Sequence, residues 1–283
     1  VVDKTKDLSN ETVLFIGTTV LYDAYRKMYT DTKAASNDYY QHWYLNPTQS
    51  RDSIRESSLD LMLFAQLQPY QKDGILSMVG GGIGYSKEKY YNFEPEDYLT
   101  TYRDAKEGNM FIYANARGRY RKYVDWSANL KYYPVGSRSQ DLTVGGKLDV
   151  TAFIHRKPLI FSVEASFENR TPSFWERNYV SNHFIWHNVF GNMTRTEIKG
   201  AFKVPSIHFE AGVTQTIETN KIYYNEQALP AQYGKALSVT GVYLNKNFVI
   251  GGLNLNHSLL LQLTSDEKVA PVPLFAANLS YFY

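Results

Sequence analysis

From about Thr12 to Tyr283, apolar and polar residues alternate in short runs separated by polar segments. In the stretch 59–68, Leu59, Leu61, Leu63, Ala65 and Leu67 share one face of an extended chain. Asp60, Gln66 and Gln68 take the other, with Met62 and Phe64 among them. The form returns in 142–154, 159–167 and 253–263. A side-chain period of two marks a strand with two different faces. It predicts strands over 11–27, 56–70, 75–86, 109–118, 122–133, 141–154, 158–169, 191–204, 206–218, 236–245, 247–264 and 273–283. Tight turns are expected at Lys72-Asp73-Gly74, Arg119-Tyr120-Arg121, His155-Arg156-Lys157, Val204-Pro205-Ser206 and Lys246-Asn247. Longer connections fall at 28–55, 87–108, 134–140, 170–190, 219–235 and 265–272, so short and long alternate along the chain.

That alternation selects among all-β folds. An outer-membrane barrel has short periplasmic turns and long extracellular loops, whereas a soluble sandwich has no reason to gather its long loops at one end. The expected fold is all-β: a transmembrane antiparallel up-and-down β-barrel of about twelve strands, more if the chain is partial. No composition shift marks an internal boundary, so 1–10 is read as a leading segment and 11–283 as barrel.

Each strand then has an outward and an inward set. Val124, Trp126, Ala128, Leu130 and Tyr132 are assigned to lipid, and Asp125, Ser127, Asn129 and Lys131 to the lumen. Leu142, Val144, Gly146, Leu148 and Val150 go outward, with Lys147, Asp149 and Thr151 inward. Ile207, Phe209, Ala211 and Val213 go outward, opposite His208, Glu210, Thr214 and Thr216. In the last strand Phe275, Ala277, Leu279, Tyr281 and Tyr283 face out. A Lys or Arg on the lipid face near the bilayer midplane costs about 2–4 kcal/mol, so charges kept on one face imply a wet interior. Strand 75–86 resists assignment, because Gly80-Gly81-Gly82 blurs its faces and marks a bend or close approach.

Composition narrows the class. The 24 tyrosines suit aromatic girdles at the two membrane interfaces. The absence of cysteine removes disulfide scaffolds, thiolate metal sites and cysteine nucleophiles. Lys and Arg total 30 against 28 Asp and Glu, interspersed to a net +2, which leaves no footprint for nucleic acid. No stretch approaches the roughly 20 apolar residues of a membrane helix, which excludes a helical membrane protein but not a barrel. The chain opens polar at Val1-Val2-Asp3-Lys4 with no signal peptide, so a mature or partial chain is expected.

The inward charges are mixed in sign: acidic Asp60, Asp125, Asp149, Glu164, Glu168, Glu197, Glu210 and Glu218, basic Arg117, Lys131, Lys147, Arg195, Lys199 and Lys203. Opposed charges across a lumen set a transverse field and weak ion selectivity; a salt-bridged, blocked interior is the competing reading. The residues expected to line a pore are Asp125, Lys131, Lys147, Asp149, Glu164, Arg195, Glu197, Lys199 and Glu210.

Other constellations carry less. Ser162, Ser166, His208, Glu164 and Glu210 lie on inward faces of different strands, and nothing in their spacing assembles a nucleophile, base and orienting group. Catalysis is not expected, nor is a cofactor. His183 and His187 stand four apart without a third ligand; aromatic loop packing explains them better than a metal. Gly80-Gly81-Gly82-Ile83-Gly84 lacks the following helix and Lys-Ser/Thr pair of a phosphate-binding loop and is rejected as one. Tyr39-Tyr40 with Trp43-Tyr44, Tyr90-Tyr91 and Tyr223-Tyr224 fit a girdle or loop packing better than a sugar-stacking mouth. Asp52-Ser53-Ile54 fits a short bacterial O-glycosylation pattern in an expected external loop.

Several motifs resemble the putative porin family of outer-membrane proteins known from Bacteroidota. They are Gly80-Gly81-Gly82-Ile83-Gly84-Tyr85, Phe93-Glu94-Pro95-Glu96-Asp97-Tyr98-Leu99, Tyr179-Val180-Ser181-Asn182-His183-Phe184-Ile185-Trp186-His187-Asn188, Val204-Pro205, Ala231-Gln232-Tyr233-Gly234 and Pro271-Val272-Pro273-Leu274. The resemblance covers most of the chain and its motifs are structural, none catalytic. It implies an outer-membrane β-barrel that passes small solutes. Members are usually longer, so the ending Ser280-Tyr281-Phe282-Tyr283 reads either as the aromatic terminus that barrel assembly recognises or as an interior strand cut short.

The expected function is passive diffusion of small polar solutes or ions through a mixed-charge lumen in the bacterial outer membrane. The expected partners are outer-membrane lipid and, through the long loops, other outer-membrane proteins. The main alternative is a non-conducting barrel serving as a structural subunit of an envelope complex, its loops 87–108 and 170–190 binding a partner or folding into the lumen. A barrel enzyme and a soluble sandwich or adhesin are weaker rivals.

Overall fold

Runs that alternate large apolar with polar side chains favour a pleated, half-buried surface over a helix. The chain builds that surface almost throughout. The structure is a computed structural model that describes residues 12–32, 40–69, 74–91 and 105–283. In chain order the elements are β1 Val13–Asp31, β2 Ser50–Gln68, β3 Met78–Tyr91, β4 Ala105–Tyr120, β5 Val124–Gly136, β6 Leu142–Ile154 and β7 Lys157–Arg170. There follow α1 Phe174–Arg177, β8 Asn178–Val180, β9 Ile185–His187, β10 Met193–Val204 and β11 Phe209–Thr219. The chain ends with β12 Ile222–Tyr224, β13 Pro230–Gln232, β14 Leu237–Ile250, β15 Leu253–Thr264 and β16 Phe275–Phe282.

Twelve of these strands form one antiparallel meander in the order β1-β2-β3-β4-β5-β6-β7-β10-β11-β14-β15-β16. β1 and β16 each have one paired neighbour, so the sheet is not closed. The four remaining strands make two small hairpins, β8 with β9 and β12 with β13, inside the long connections after β7 and β11. The sequence pattern did not anticipate them, since three-residue strands carry too little alternation to read.

The register fixes both faces. Leu61 stands between Val20 and Tyr85, Val144 between Leu130 and Phe167, and Val242 between Val213 and Leu261. These side chains share one outward face and remain exposed. From Leu59 to Leu67 the apolar positions of β2 cover about 26 Å along the strand at roughly 3.3 Å per residue, close to the roughly 25 Å apolar band of an outer-membrane barrel. A contiguous apolar face of this size is an interaction surface. The buried apolar residues are few, and Tyr90, Phe174 and Val180 gather under the long loops.

The tight turns all lie at one end of the sheet. His155 and Arg156 take φ of 48° and 66° between paired Ile154 and Lys157, a two-residue turn whose left-handed positions match the strand twist. Pro205–Ile207 form a single 3-10 turn capped by His208 at φ 50°. The turn expected at Arg119-Tyr120-Arg121 falls at 121–123, with Arg121 at φ 51°. The turn expected at Lys246-Asn247 lies instead at Gly251-Gly252. Lys246 and Asn247 continue β14, paired with His257 and Asn256. Phe248, Val249 and Ile250 extend the strand, and Gly251 supplies the left-handed residue at φ 62°.

At the other end β1 and β2 run further than expected, which shortens the 28–55 connection to 32–49. Ser53 therefore sits inside β2, not in an external loop. The leading segment 1–10, Lys72-Asp73, Tyr39 and Phe93–Leu99 lie outside the described residues.

Candidate functional site

All nine charges expected to line a pore occupy the inward face, because they share parity and register across β5, β6, β7, β10 and β11. One row runs Arg117, Ser127, Lys147, Glu164, Lys199 and Thr214. Two residues toward the loop end lies Asn115, Asn129, Gly145, Ser166, Glu197 and Thr216. Beyond that come Tyr113, Lys131, Thr143, Glu168, Arg195 and Glu218. Every Asp and Glu within the twelve long strands falls on this face, and none on the outward one.

Within the rows the charges form local groups. Asp125 stands directly opposite Asp149, a destabilising pairing on its own. Arg119 Nε answers Asp125 at 2.5 Å, Lys147 Nζ answers Asp149 at 3.2 Å, and the Ser162 hydroxyl donates to Asp149. Arg117, Arg119, Asp125, Lys147 and Asp149 border a cavity of about 380 Å³. Arg195 reaches Glu197 at 2.5 Å and Glu218 at 3.9 Å. Lys203 approaches Glu210 at 3.8 Å, and the Tyr243 hydroxyl donates to Glu210 at 2.7 Å. Lys199 lies 5.0 Å over the Tyr243 ring, which couples it to that group. Lys131 stands apart: its ammonium sits 4.2 Å over Phe111 and 5.0 Å over Tyr133. Most of these pairs are half-exposed, so each adds about 0–1 kcal/mol of stability. They shape a field more than they hold the fold.

The inward face of β2–β4 differs. Phe64 lies across Gly17, Tyr113 across Gly82 and Phe111 across Gly84; a Cβ at Gly84 would stand 2.2 Å from the Phe111 ring. The glycine run of β3 is thus a floor for rings, the close-approach form of the two expected readings.

At the loop end a second group, unread in the sequence, crosses from β7 to β2–β4. Phe174 stacks on Tyr90 at 4.3 Å between centroids, Trp175 Nε1 donates to Glu56 at 2.9 Å, and Arg177 bonds Glu107 at 2.8 Å. Asn182, 1% exposed, donates through its backbone to Asp52 at 2.9 Å. Its side-chain oxygen accepts from Leu45 and Asn46, and its amide donates to Ser50 Oγ at 2.8 Å. His183 Nδ1 lies 2.9 Å from the His42 carbonyl, which only accepts, so Nδ1 carries a proton; Nε2 meets Ser50 Oγ at 2.7 Å. Tyr40 stacks on the His183 ring at 3.6 Å. His187 instead bonds Asn178. The two histidines do not share a site, and among the described residues no group of three His, Cys, Asp or Glu could hold a metal. Tyr40, Trp43 and Tyr90 serve loop packing, as do Tyr223 against Tyr233 and Tyr224 against Trp186. All the strand partners of this segment are inward residues, so the segment lies over the inward side of β2–β4.

The family model described as "Putative porin" matches residues 4–283. The chain belongs to the putative porin family. No curated protein matches it. Among solved structures this porin-family chain is similar to the siderophore receptor PirA from Pseudomonas aeruginosa, at 13% identity and a TM-score of 0.58. That match covers 88% of this chain and 48% of the receptor. It is also similar to the copper transporter OprC, at 11% identity and a TM-score of 0.64, over 88% of this chain and 42% of the other. At such identities the likeness shows the fold alone: an outer-membrane β-barrel architecture, of which this chain spans less than half the length of those relatives.

Proposed function

We propose that the protein is an outer-membrane porin that lets small polar solutes diffuse passively through a water-filled, mixed-charge lumen. The observation carrying this reading is the segregation of charge: in the twelve long strands, an inward face with registered rows of both signs lies beside an outward face without an acid. A wet lumen replaces the hydration a polar solute loses in lipid, and opposed rows favour neither ion strongly. Asp125, Lys131, Lys147, Asp149, Glu164, Arg195, Glu197, Lys199 and Glu210 are the proposed lining. Family membership and the barrel fold of its structural neighbours support a non-enzymatic barrel in the outer membrane. Planar-bilayer recording of the full-length protein, with graded neutral solutes, tests it. Step-like conductance with a defined size cut-off supports diffusion, and silent bilayers with properly folded protein overturn it.

The second reading, a non-conducting structural subunit, is favoured by the segment Phe174–Asn188, which is fastened over the inward side of β2–β4. Stoichiometric co-purification of another envelope protein together with absent conductance would select it.

A further inference from the structure

The inward face changes character toward the turn end of β11–β16, where its rows become amides and hydroxyls. One row runs Glu210, Asn245, Ser258 and Asn278 across four strands. The next row toward the turns runs Asn247, Asn256 and Ser280. Glu210 is the one acid of the two rows, and its charge is already met. Lys203 approaches it at 3.8 Å and the Tyr243 hydroxyl donates to it at 2.7 Å. The neighbouring Lys246 ammonium turns to the Ile207 carbonyl. Two concavities, of about 470 and 500 Å³, share Glu210, Asn245 and Ser258. Each has the size of a small-ligand site. Asn247 and Asn256 line the first, Tyr243 and Asn278 the second. The Asn247 Oδ1 atom is buried and meets no donor. A buried acceptor left unmet is costly, so this position calls for a donor from outside the chain.

The donor set says what fits. An ion uses only one half of an amide, and a charged solute is better met by the rows of β5–β10. An Asn side chain presents a donor and an acceptor side by side, and a serine hydroxyl is both at once. Adjacent hydroxyls on a sugar ring carry the same pair. One can donate to an amide oxygen while its neighbour accepts from the amide nitrogen. Glu210 adds a further acceptor whose charge needs no counter-ion from the ligand. Such groups repeat about every 5 Å across the strands and about every 7 Å along them. A single ring therefore meets one or two of them, and a short oligosaccharide meets several.

We propose that this wall is a subsite for neutral saccharides, whose hydroxyls replace the water it otherwise holds. The proposal deepens the porin reading and rests on the inward face being wet, not on passage through it. Saturation-transfer NMR on the full-length protein in amine-oxide micelles tests it, with maltotriose, cellotriose and mannotriose as probes. A polyethylene glycol of matched mass, which accepts along its length but donates only at its ends, is the control. At least one trisaccharide is expected to bind saturably and about tenfold tighter than the glycol, the worth of one or two added hydrogen bonds. The double variant Asn245→Leu, Asn256→Leu should weaken that binding about tenfold, because leucine keeps the volume and removes the paired donor and acceptor. Absence of saturable binding by all three trisaccharides overturns the proposal, whether or not the variant folds. So does a glycol bound as tightly as the sugars, or an unchanged affinity in a folded double variant. A conducting protein that binds no trisaccharide sinks this subsite alone, and a binding protein that stays silent in bilayers sinks the diffusion reading alone.

Discussion

The two inward walls of this sheet follow the same alternation and solve different problems. Across β5–β11 the inward positions hold Lys, Arg, Asp and Glu in half-exposed groups, paired loosely enough to stay hydrated. Across β2–β4 they hold glycines with rings laid over them and, at the loop end, polar groups sealed beneath Phe174–Asn188. The first wall tolerates change because water can replace any one partner. The second does not, because rings and buried amides have no substitute there.

The comparison breaks most sharply at Gly82. A Cβ there would stand 2.4 Å from the Leu63 carbonyl oxygen and 2.7 Å from the Tyr113 ring. Backbone cannot swing aside, so Gly82→Val is expected to cost about 3 kcal/mol, read as a lower midpoint of denaturant unfolding in detergent. Gly145→Ala, on the inward face of β6, meets only the Asn129 side chain, whose amide can swing aside, and should change that midpoint by less than about 0.5 kcal/mol. Equal effects at the two sites would refute the contrast between the walls.

The next largest effect belongs to the mouth. Asn182→Ala strips the acceptor from two backbone N–H groups and the donor from Ser50 in a buried setting. Leaving such groups unmet costs about 2–3 kcal/mol, enough to loosen the segment without unfolding the sheet. Single-channel records should then show larger, noisier conductance, and amide exchange over 44–52 should quicken. A variant whose records and exchange match the parent would mean that the segment does not gate the lumen.

How much of this was legible beforehand follows from the physics of each part. The long strands were readable because a period of two over ten residues is set by which face meets lipid. That the charges share one face was readable for the same reason, with Lys147 and Glu164 paired across β6 and β7 as parity demands. The turn at Gly251 was misread because Lys246-Asn247 carries a turn signal that register overrode. The Asn182 cluster was hidden because its partners lie some 130 positions away in sequence, and no local pattern records a contact of that range. Lys131 shares a face with the other charges, as its parity demands, but its seat on Phe111 and Tyr133 depends on two strands at once.

On the charged wall, effects should be electrical, not structural. Arg195→Gln with Lys199→Gln removes two inward cations four residues apart on β10, with Glu197 between them on the same face. A unit charge about 7 Å from a passing ion in water contributes about 0.6 kcal/mol, roughly threefold in local ion ratio before screening. The reversal potential in a salt gradient is expected to move toward cation preference, with little change in unfolding midpoint. An unmoved reversal potential would remove these residues from the lining.

The smallest effect lies over β11–β15, where the loops meet in water instead of under a seal. The Tyr233 hydroxyl donates to Asp266 Oδ2 at 3.0 Å and, with the backbone N–H groups of Lys268 and Val269, holds that carboxyl below its ordinary range. A depressed carboxyl contributes to folding above its unfolded pKa and loses that contribution as pH falls through the folded value. Tyr233→Phe removes the leading cause, so the carboxyl should titrate at higher pH, visible as a shifted side-chain carbon signal. The loops 220–236 and 265–274 should then part earlier on acidification, while the Asn182 cluster on the other side of the mouth keeps its protection. If Asp266 titrates unchanged in the variant, the phenol does not tie the two loops, and the backbone donors alone hold that carboxyl down.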